Sequence, residues 1–326
     1  MILVTGGAGF IGSNMVAALC ERGEDVVVCD RLESDDKWRN IARHALIDVI
    51  RPEALADWLT RGPELDAVFH MGAISATTVT DADLVFDVNV SFSTMLWDWC
   101  AAQATPFIYA SSAATYGAGA AGFDDDASLD ALARLRPLNA YGWSKHFFDR
   151  RVARRIAARE PAPPQWVGLK FFNVYGPNEY HKGPMQSVVA QKYPLVASGQ
   201  PVTLFTSHHP DYPDGGQLRD FVFVEDCVDV MLWLLEHRQV SGLFNLGSGK
   251  ARSFADLAKA IAAAADQPSR IEFIPMPEAI RPNYQYFTEA RMDKLRAAGY
   301  AKRFTALEDG VRRYVEGYLS RPDRYR

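Results

Sequence analysis

Tyr141 and Lys145 stand four residues apart in Pro137-Leu-Asn-Ala-Tyr141-Gly-Trp-Ser-Lys145, so on a helix they share one face. A phenol beside an ammonium is suited to exchanging a proton with a substrate hydroxyl, because the cation lowers the phenol's pKa. Ser111 and Ser112 close the apolar run Pro106-Phe-Ile-Tyr-Ala-Ser-Ser112, which reads as a strand. The stretch from Ser111 to Gly117 then falls at a carboxyl edge, where open α/β sheets place their sites. Lys182, in Glu179-Tyr-His181-Lys182-Gly183, is a further cation placed just past a later strand end. Each signal has an ordinary reading as a surface helix or a solvated loop lysine. They gain meaning from the elements that must position them.

The first of those elements is the opening of the chain, Met1-Ile-Leu-Val-Thr-Gly-Gly-Ala-Gly-Phe-Ile-Gly12. Ile2, Leu3 and Val4 read as a buried parallel strand, and Gly6, Gly7, Gly9 and Gly12 bend the backbone into a helix over 10–22. Glycines let a diphosphate approach the main chain, and the helix start favours an anion. Strand before, helix after, and a second strand Val26-Val-Val-Cys29 ending at Asp30 complete a nucleotide-binding βαβ unit. Asp30 is placed to accept from an adenosine ribose, which alone favours NAD. Arg31 and Lys37 beside it suit a ribose 2′-phosphate and point to NADP. Asp48 is expected where a third strand ends. Leu65-Asp-Ala-Val-Phe-His70-Met-Gly-Ala73 reads as a fourth strand running into a small-residue turn. His70 and Asn89 are expected to serve structure, bonding nearby backbone.

Further strands are read at Trp166 to Phe172, Val202-Thr-Leu-Phe205, Arg219 to Val224 and Leu243 to Leu246, with helices from about 185 to 198 and after Ser253 as N-cap. Arg219 at a strand start suits a bidentate clamp on phosphate. His208 and His209 lie in a Pro/Gly loop without a third ligand at a recognisable spacing, so no metal is expected. The fold class is α/β, a doubly wound parallel sheet of Rossmann type with a smaller mixed α/β substrate lobe. Residues 1–172 plus about 219–250 are assigned to the nucleotide-binding domain, and about 173–218 plus 251–326 to the substrate lobe. A net charge of -5 gives no basic face for nucleic acid or an anionic membrane. The four cysteines are widely spaced and suggest neither zinc nor disulfides. A strand beginning at Ile2 leaves no room for a signal peptide, so a cytoplasmic protein is expected.

Together these motifs resemble the extended short-chain dehydrogenase/reductase family over essentially the whole chain. Ser111-Ser-Ala-Ala-Thr-Tyr-Gly117, Phe172-Asn-Val-Tyr-Gly-Pro177 and Glu179-x-His181-Lys182-Gly183-x-Met185 resemble its ADP-heptose 6-epimerase branch. The resemblance implies tightly held NADP, oxidation of the heptose at C6 to a transient ketone, and hydride return to the other face, yielding a sugar for the lipopolysaccharide inner core. It implies catalytic roles for Ser112, Tyr141, Lys145 and Lys182, the last as a second acid/base. The expected cofactor contacts are Gly6, Gly9, Phe10, Ile11, Gly12, Asp30, Arg31, Lys37, Met71, Gly72, Ala73, Ser75 and Asn89, with Tyr141, Lys145, Val174 and Lys182 completing the set. The expected substrate contacts are Ser112, Asn173, Pro184, Gln191, Phe205, Arg219 and Tyr284. Family members form closed rings, so a homo-oligomer, a pentamer by resemblance, is expected. The 208–217 loop and Pro184 depart from the family pattern. A 4,6-dehydratase would need an Asp-Glu pair where Ala113 and Ala114 stand. A UDP-hexose 4-epimerase and a non-catalytic NADP sensor stay open, although a sensor has no use for the Tyr/Lys pair.

Overall fold

The computed structural model describes all residues except Ser34, Asp35, Ala279, Ile280, Pro282 and Asn283. Ile2–Thr5 (β1), Val26–Cys29 (β2), Asp48–Ile50 (β3), Ala67–His70 (β4), Phe107–Ser112 (β5) and Trp166–Phe171 (β6) are short strands, with β1, β2 and β4 buried along their whole length and β5 and β6 at all but one residue. Such near-continuous apolar runs are what a parallel sheet covered on both faces requires. Asn173–Tyr175 (β7), Val202–Phe205 (β8), Leu218–Phe223 (β9), Gly242–Leu246 (β10), Ala251–Ser253 (β11) and Ile271–Ile274 (β12) follow. Among the described residues, one seven-stranded sheet has the order β10-β6-β5-β4-β1-β2-β3, every pair parallel. The strand order reverses between β1 and β4, so a crevice opens at their carboxyl ends.

Helices Phe10–Glu21 (α1), Pro52–Thr60 (α2), Ala82–Phe86 (α3), Phe92–Ala102 (α4), Leu129–Arg134 (α5) and Ala140–Ala157 (α6) make the crossovers. One wide π turn, Asp87–Ser91, joins α3 to α4 and carries Asn89. Asn139 starts α6 by accepting the Gly142 N–H at 2.8 Å. Gly142 lets that helix press on the 3₁₀ turn that follows β5, since a Cβ there would stand 2.7 Å from the Ala114 carbonyl oxygen.

The remaining helices are Val188–Ala197 (α7), Val224–Glu236 (α8), Phe254–Ala264 (α9), Asp293–Ala297 (α10) and Leu307–Tyr314 (α11). A three-stranded sheet β11-β9-β7 and the pair β12-β8 build the smaller lobe around a second core that includes Val189, Phe221, Leu257, Ile261, Val311 and Tyr314. Ser253 caps α9 as expected: its Oγ accepts the Asp256 N–H at 2.9 Å, and Asp256 accepts the Ser253 N–H in return. Several boundaries differ from expectation, among them the end of the run Arg219 to Val224, where Val224 opens α8 and does not close β9. Asp48 opens β3 instead of closing it and is exposed, because the apolar Ala45-Leu46-Ile47 leads into the strand and does not form it. Strand β6 stops at Phe171, and Phe172 is the joint to β7. Helix α7 begins only at Val188, where Ser187 accepts the Ala190 N–H. Among the described residues no helix is long and apolar enough to cross a membrane.

Candidate active site

The glycine turn is built as tightly as its sequence suggests. Gly6 adopts φ +66°, and a Cβ on it would meet the Gly72 Cα at 2.5 Å. A Cβ on Gly12 would stand 2.1 Å from the Gly6 carbonyl oxygen. Helix α1 starts after Gly9 with no side chain capping it, so its first N–H groups face the crevice. A backbone cradle that any side chain would fill, at an uncapped helix start, fits a dinucleotide diphosphate.

The crevice is a cleft of about 470 Å³ lined by Gly6, Gly9, Phe10, Ile11, Gly12, Asp30, Lys37, Met71, Gly72, Ala73 and Ser75 on one side. Ser112, Tyr141, Lys145, Asn173, Val174 and Lys182 line its other end. An adjoining pocket of about 360 Å³ shares Gly6, Asp30, Lys37, Gly72 and Ala73, and Arg31 lies on its wall. The buried Asp30 accepts from the Ala8 N–H at 2.9 Å, its neighbour's N–H at 2.7 Å and the Lys37 ammonium at 2.8 Å. Arg31 turns to Glu53, its Nε 2.8 Å from Oε1. The two cations assigned to a 2′-phosphate are thus both held by carboxylates.

Ser112 ends β5, and its Oγ accepts the Ala114 N–H at 3.1 Å. Its own O–H remains for the Tyr141 phenol, whose anionic form it favours. Burial nevertheless pushes the phenol's pKa up. Burial also pulls Lys145, 3% exposed, down to about 8, opposed by the charge of Asp149. The expectation that the ammonium would depress the phenol is therefore corrected: burial is the largest influence on both groups, and the phenol is lowered by the Ser112 hydroxyl and not by Lys145. Lys182 reaches the cleft from a 3₁₀ turn, Tyr180–Met185, with its ammonium 5.3 Å from the centre of the Phe10 ring. Burial lowers its pKa too, against the pull of Glu179.

His70 is held in the structure by side-chain hydroxyls and not by the backbone bond expected of it. Its Nδ1 lies 2.6 Å from Thr5 Oγ1 and its Nε2 2.7 Å from Ser93 Oγ, and burial drives its pKa down to about 3, so it stays neutral. Asn89 does not line the cleft. Its amide bonds both the N–H and the C=O of Ile74 and donates to Ser144 at 3.0 Å, and Ser144 donates to the Tyr141 carbonyl at 2.7 Å. Asn89 thereby ties the loop after β4 to the helix of Tyr141.

The expected substrate residues divide into three groups. Asn173 lines the cleft. Arg219, Phe205 and Tyr284 gather beyond it in the smaller lobe, where the Arg219 guanidinium lies between the rings of Tyr284 (5.3 Å) and Phe254 (5.6 Å). Arg219 is 8% exposed, its one side-chain hydrogen bond goes to the Leu218 carbonyl, and no carboxylate pairs with it among the described residues. Such a cation awaits an anion. Pro184 and Gln191 are exposed and lie off the cleft: Gln191 donates to the carbonyls of Pro184 (3.1 Å) and Gln186 (2.7 Å), bracing the turn that bears Lys182. Sequence reasoning did not single out Thr77, Gln285 and Thr288, which also line the cleft. They sit in irregular stretches, where no periodicity marks which way a side chain faces.

Residues 2–247 match the NAD dependent epimerase/dehydratase family. The chain is 50% identical to an ADP-L-glycero-D-manno-heptose-6-epimerase of Nitratidesulfovibrio vulgaris strain DP4 over 99% of both chains. It is 47% identical to the enzyme of that name from Fusobacterium nucleatum over the full length of both. Among solved structures it is similar to the Helicobacter pylori ADP-L-glycero-D-manno-heptose-6-epimerase, with a TM-score of 0.79 at 28% identity, covering 97% of this chain and 95% of that one. It is also similar to a Thermus thermophilus UDP-glucose 4-epimerase in complex with NAD, with a TM-score of 0.74 at 27% identity over 97% of each chain. With its glycine cradle, its Ser/Tyr/Lys wall and this match over most of its length, the chain belongs to the NAD dependent epimerase/dehydratase family.

Proposed function

We propose that this protein inverts C6 of ADP-D-glycero-D-manno-heptose to give ADP-L-glycero-D-manno-heptose, a building block of the lipopolysaccharide inner core, with NADP as resident cofactor. The observation that carries the reading is the convergence of two acid/base sets on one cleft: Ser112, Tyr141 and Lys145 from β5 and α6, and Lys182 from the 180–185 turn. A bound nicotinamide dinucleotide supplies the hydride acceptor and, later, the donor. The Tyr141 oxygen takes the proton of the C6 hydroxyl while the Ser112 hydroxyl, which favours the phenolate, holds that oxygen and Lys145 lines the cleft beside it. Inversion needs only that the ketone present its other face, where Lys182 delivers or removes the proton. Arg219, buried without a carboxylate, holds the substrate diphosphate, and Asn173 steadies the sugar. The full-length relatives at 47–50% identity support the choice of sugar nucleotide.

NADP is the finer part of the reading, supported by Lys37 and Arg31 beside Asp30: a 2′-phosphate would draw both from their carboxylate partners. Protein purified without added cofactor and then denatured should release NADP, and release of NAD alone would refute this assignment. The reaction is tested by incubating a panel of ADP- and UDP-sugars and following C6 and C4 by NMR, in heavy water. Expected is conversion of the ADP-heptose with the C6 hydrogen kept. Stoichiometric deuterium at C6 would exclude hydride return, and turnover of UDP-glucose in its place would replace the substrate.

A further inference from the structure

Below the catalytic wall lies a buried ion pair that the reaction as described does not use. Asp149 stands one helical turn beyond Lys145 on α6, and Lys170 is the one charged residue of β6. Both are 0% exposed, and the ammonium is 2.7 Å from Asp149 Oδ2. Asp149 also accepts from the hydroxyls of Tyr109 (3.1 Å) and Ser111 (2.7 Å) on β5. Lys170 donates to Thr115 Oγ1 at 2.8 Å, and Thr115 donates to the carbonyl of Ser112 at 2.8 Å. A continuous path of hydrogen bonds therefore runs from the backbone of Ser112, through Thr115 and Lys170, to the helix that carries Tyr141 and Lys145.

Stability gives little reason for such a pair. Two fully buried charges lose their hydration, and apolar residues of similar volume often hold a core as well or better. The pair's position is what distinguishes it. We propose that Asp149 and Lys170 are positioning residues that fix Ser112 against Tyr141 and Lys145 and hold the local charge balance in which those groups exchange a proton. The proposal rests on the reading of Ser112, Tyr141 and Lys145 as the catalytic set.

The surroundings of the phenol make the charge balance specific. Acting on Tyr141 and Lys145 are Asp149 from α6, the Ser112 hydroxyl from β5 and neutral His70 from β4, while Lys170 from β6 stands behind them, paired with Asp149. The Asp149 charge favours protonation of both the phenol and the amine. Removing one member of the pair leaves the other as an uncompensated buried charge, and the two removals have opposite signs.

The test compares Asp149→Asn, Lys170→Met and the double variant, each with the resident cofactor bound. The Tyr141 phenol is titrated by ultraviolet difference against the same protein carrying Tyr141→Phe. Expected is a shift of roughly one pH unit downward in Asp149→Asn, where the Lys170 cation is unmatched, and upward in Lys170→Met, where the Asp149 anion is unmatched. The double variant, with no lone buried charge, should titrate near the wild type yet lose about tenfold in kcat at unchanged KM. Thr115→Val keeps both charges and cuts the path to Ser112, so it should lower kcat similarly without moving the titration. Should a single variant fail to fold, the double variant and Thr115→Val decide the positioning role. Equal titrations in the folded single variants, shifts of the same sign, or wild-type kcat in both Thr115→Val and the double variant would overturn the proposal. A wild-type protein that converts no nucleotide sugar would instead overturn the functional reading, leaving the titrations interpretable.

Discussion

Replacing Lys145 with Met should destroy activity and make the protein more stable. Burial draws the Lys145 ammonium from its ordinary 10.5 down to about 8 even though Asp149 works against the fall. At about 1.4 kcal/mol per pH unit, that drop means the folded state carries roughly 3 kcal/mol of unfavourable charge burial at neutral pH. Between about pH 8 and 10.5 the unfolded chain binds more protons at this site than the folded one, so this group's contribution to stability rises with pH. The cost is present in full below pH 8 and fades as the pH approaches 10.5. Methionine fills nearly the same volume with no charge, so Lys145→Met should gain up to roughly 3 kcal/mol at pH 7 and a steadily smaller margin above pH 8. Equilibrium urea unfolding of both proteins across pH 7 to 10 measures the difference directly. A variant less stable than wild type at pH 7, or a margin that does not change with pH, would show that Lys145 is not held against desolvation.

Gly12→Ala should leave a folded protein that binds little dinucleotide, since its Cβ would meet the Gly6 carbonyl oxygen at 2.1 Å; circular dichroism and the content of bound cofactor report the two properties separately. Tyr141→Phe and Lys182→Ala should each lower epimerisation by about 10²–10⁴-fold while retaining cofactor, and full activity in Lys182→Ala would remove the second acid/base from the mechanism. Arg219→Leu should raise KM for the nucleotide sugar by about 10–100-fold with cofactor content unchanged, because it deletes a charged donor and no cradle contact. An unaltered KM would place the substrate diphosphate elsewhere.

Local signals carried most of the cofactor side of the site. The glycines between Gly6 and Gly12, the apolar strands around them and the four-residue spacing of Tyr141 and Lys145 are short-range patterns, and the structure keeps each of them. Asp48 was misplaced because a strand of three residues offers too little alternation to fix its ends. Asn89 satisfies backbone as expected but does not line the cleft as an expected cofactor contact would, and its link through Ser144 to Tyr141 joins residues far apart in the chain. The Asp149–Lys170 pair was missed for the same reason. A signal was present: a lysine in the apolar run Trp166-Val-Gly-Leu-Lys170-Phe-Phe must find an anion once the strand is buried. Which carboxylate meets it depends on how α6 lies across β5 and β6, and Asp149 sits in an otherwise ordinary polar stretch beside Arg150 and Arg151.

The joints between the two lobes bear on how substrate enters and leaves. Phe172 alone separates β6 of the large sheet from β7 of the small one, and β9 passes into α8 with no residue between Phe223 and Val224. Phe172 is itself buried, its ring about 6.2 Å from those of Tyr116 and Phe123. A hinge needs a few residues free to change φ and ψ; these two crossings supply none, and the third, 247–250 between β10 and β11, is pinned by Asp220, which accepts the Ser248 N–H at 2.6 Å and the Gly249 N–H at 2.9 Å. The lobes are thus coupled mechanically, more like the arms of a bracket than the halves of a clamp. Movement is left to the largely exposed 208–214 stretch, whose Tyr212 and His209 rings rest on Tyr286, because the ends of the loop are tied down: the Thr206 N–H donates to the Ile274 carbonyl of β12 and the Gly215 N–H to the Phe205 carbonyl of β8. Turnover limited by product release would then respond to changes in that loop and not to changes at the joints.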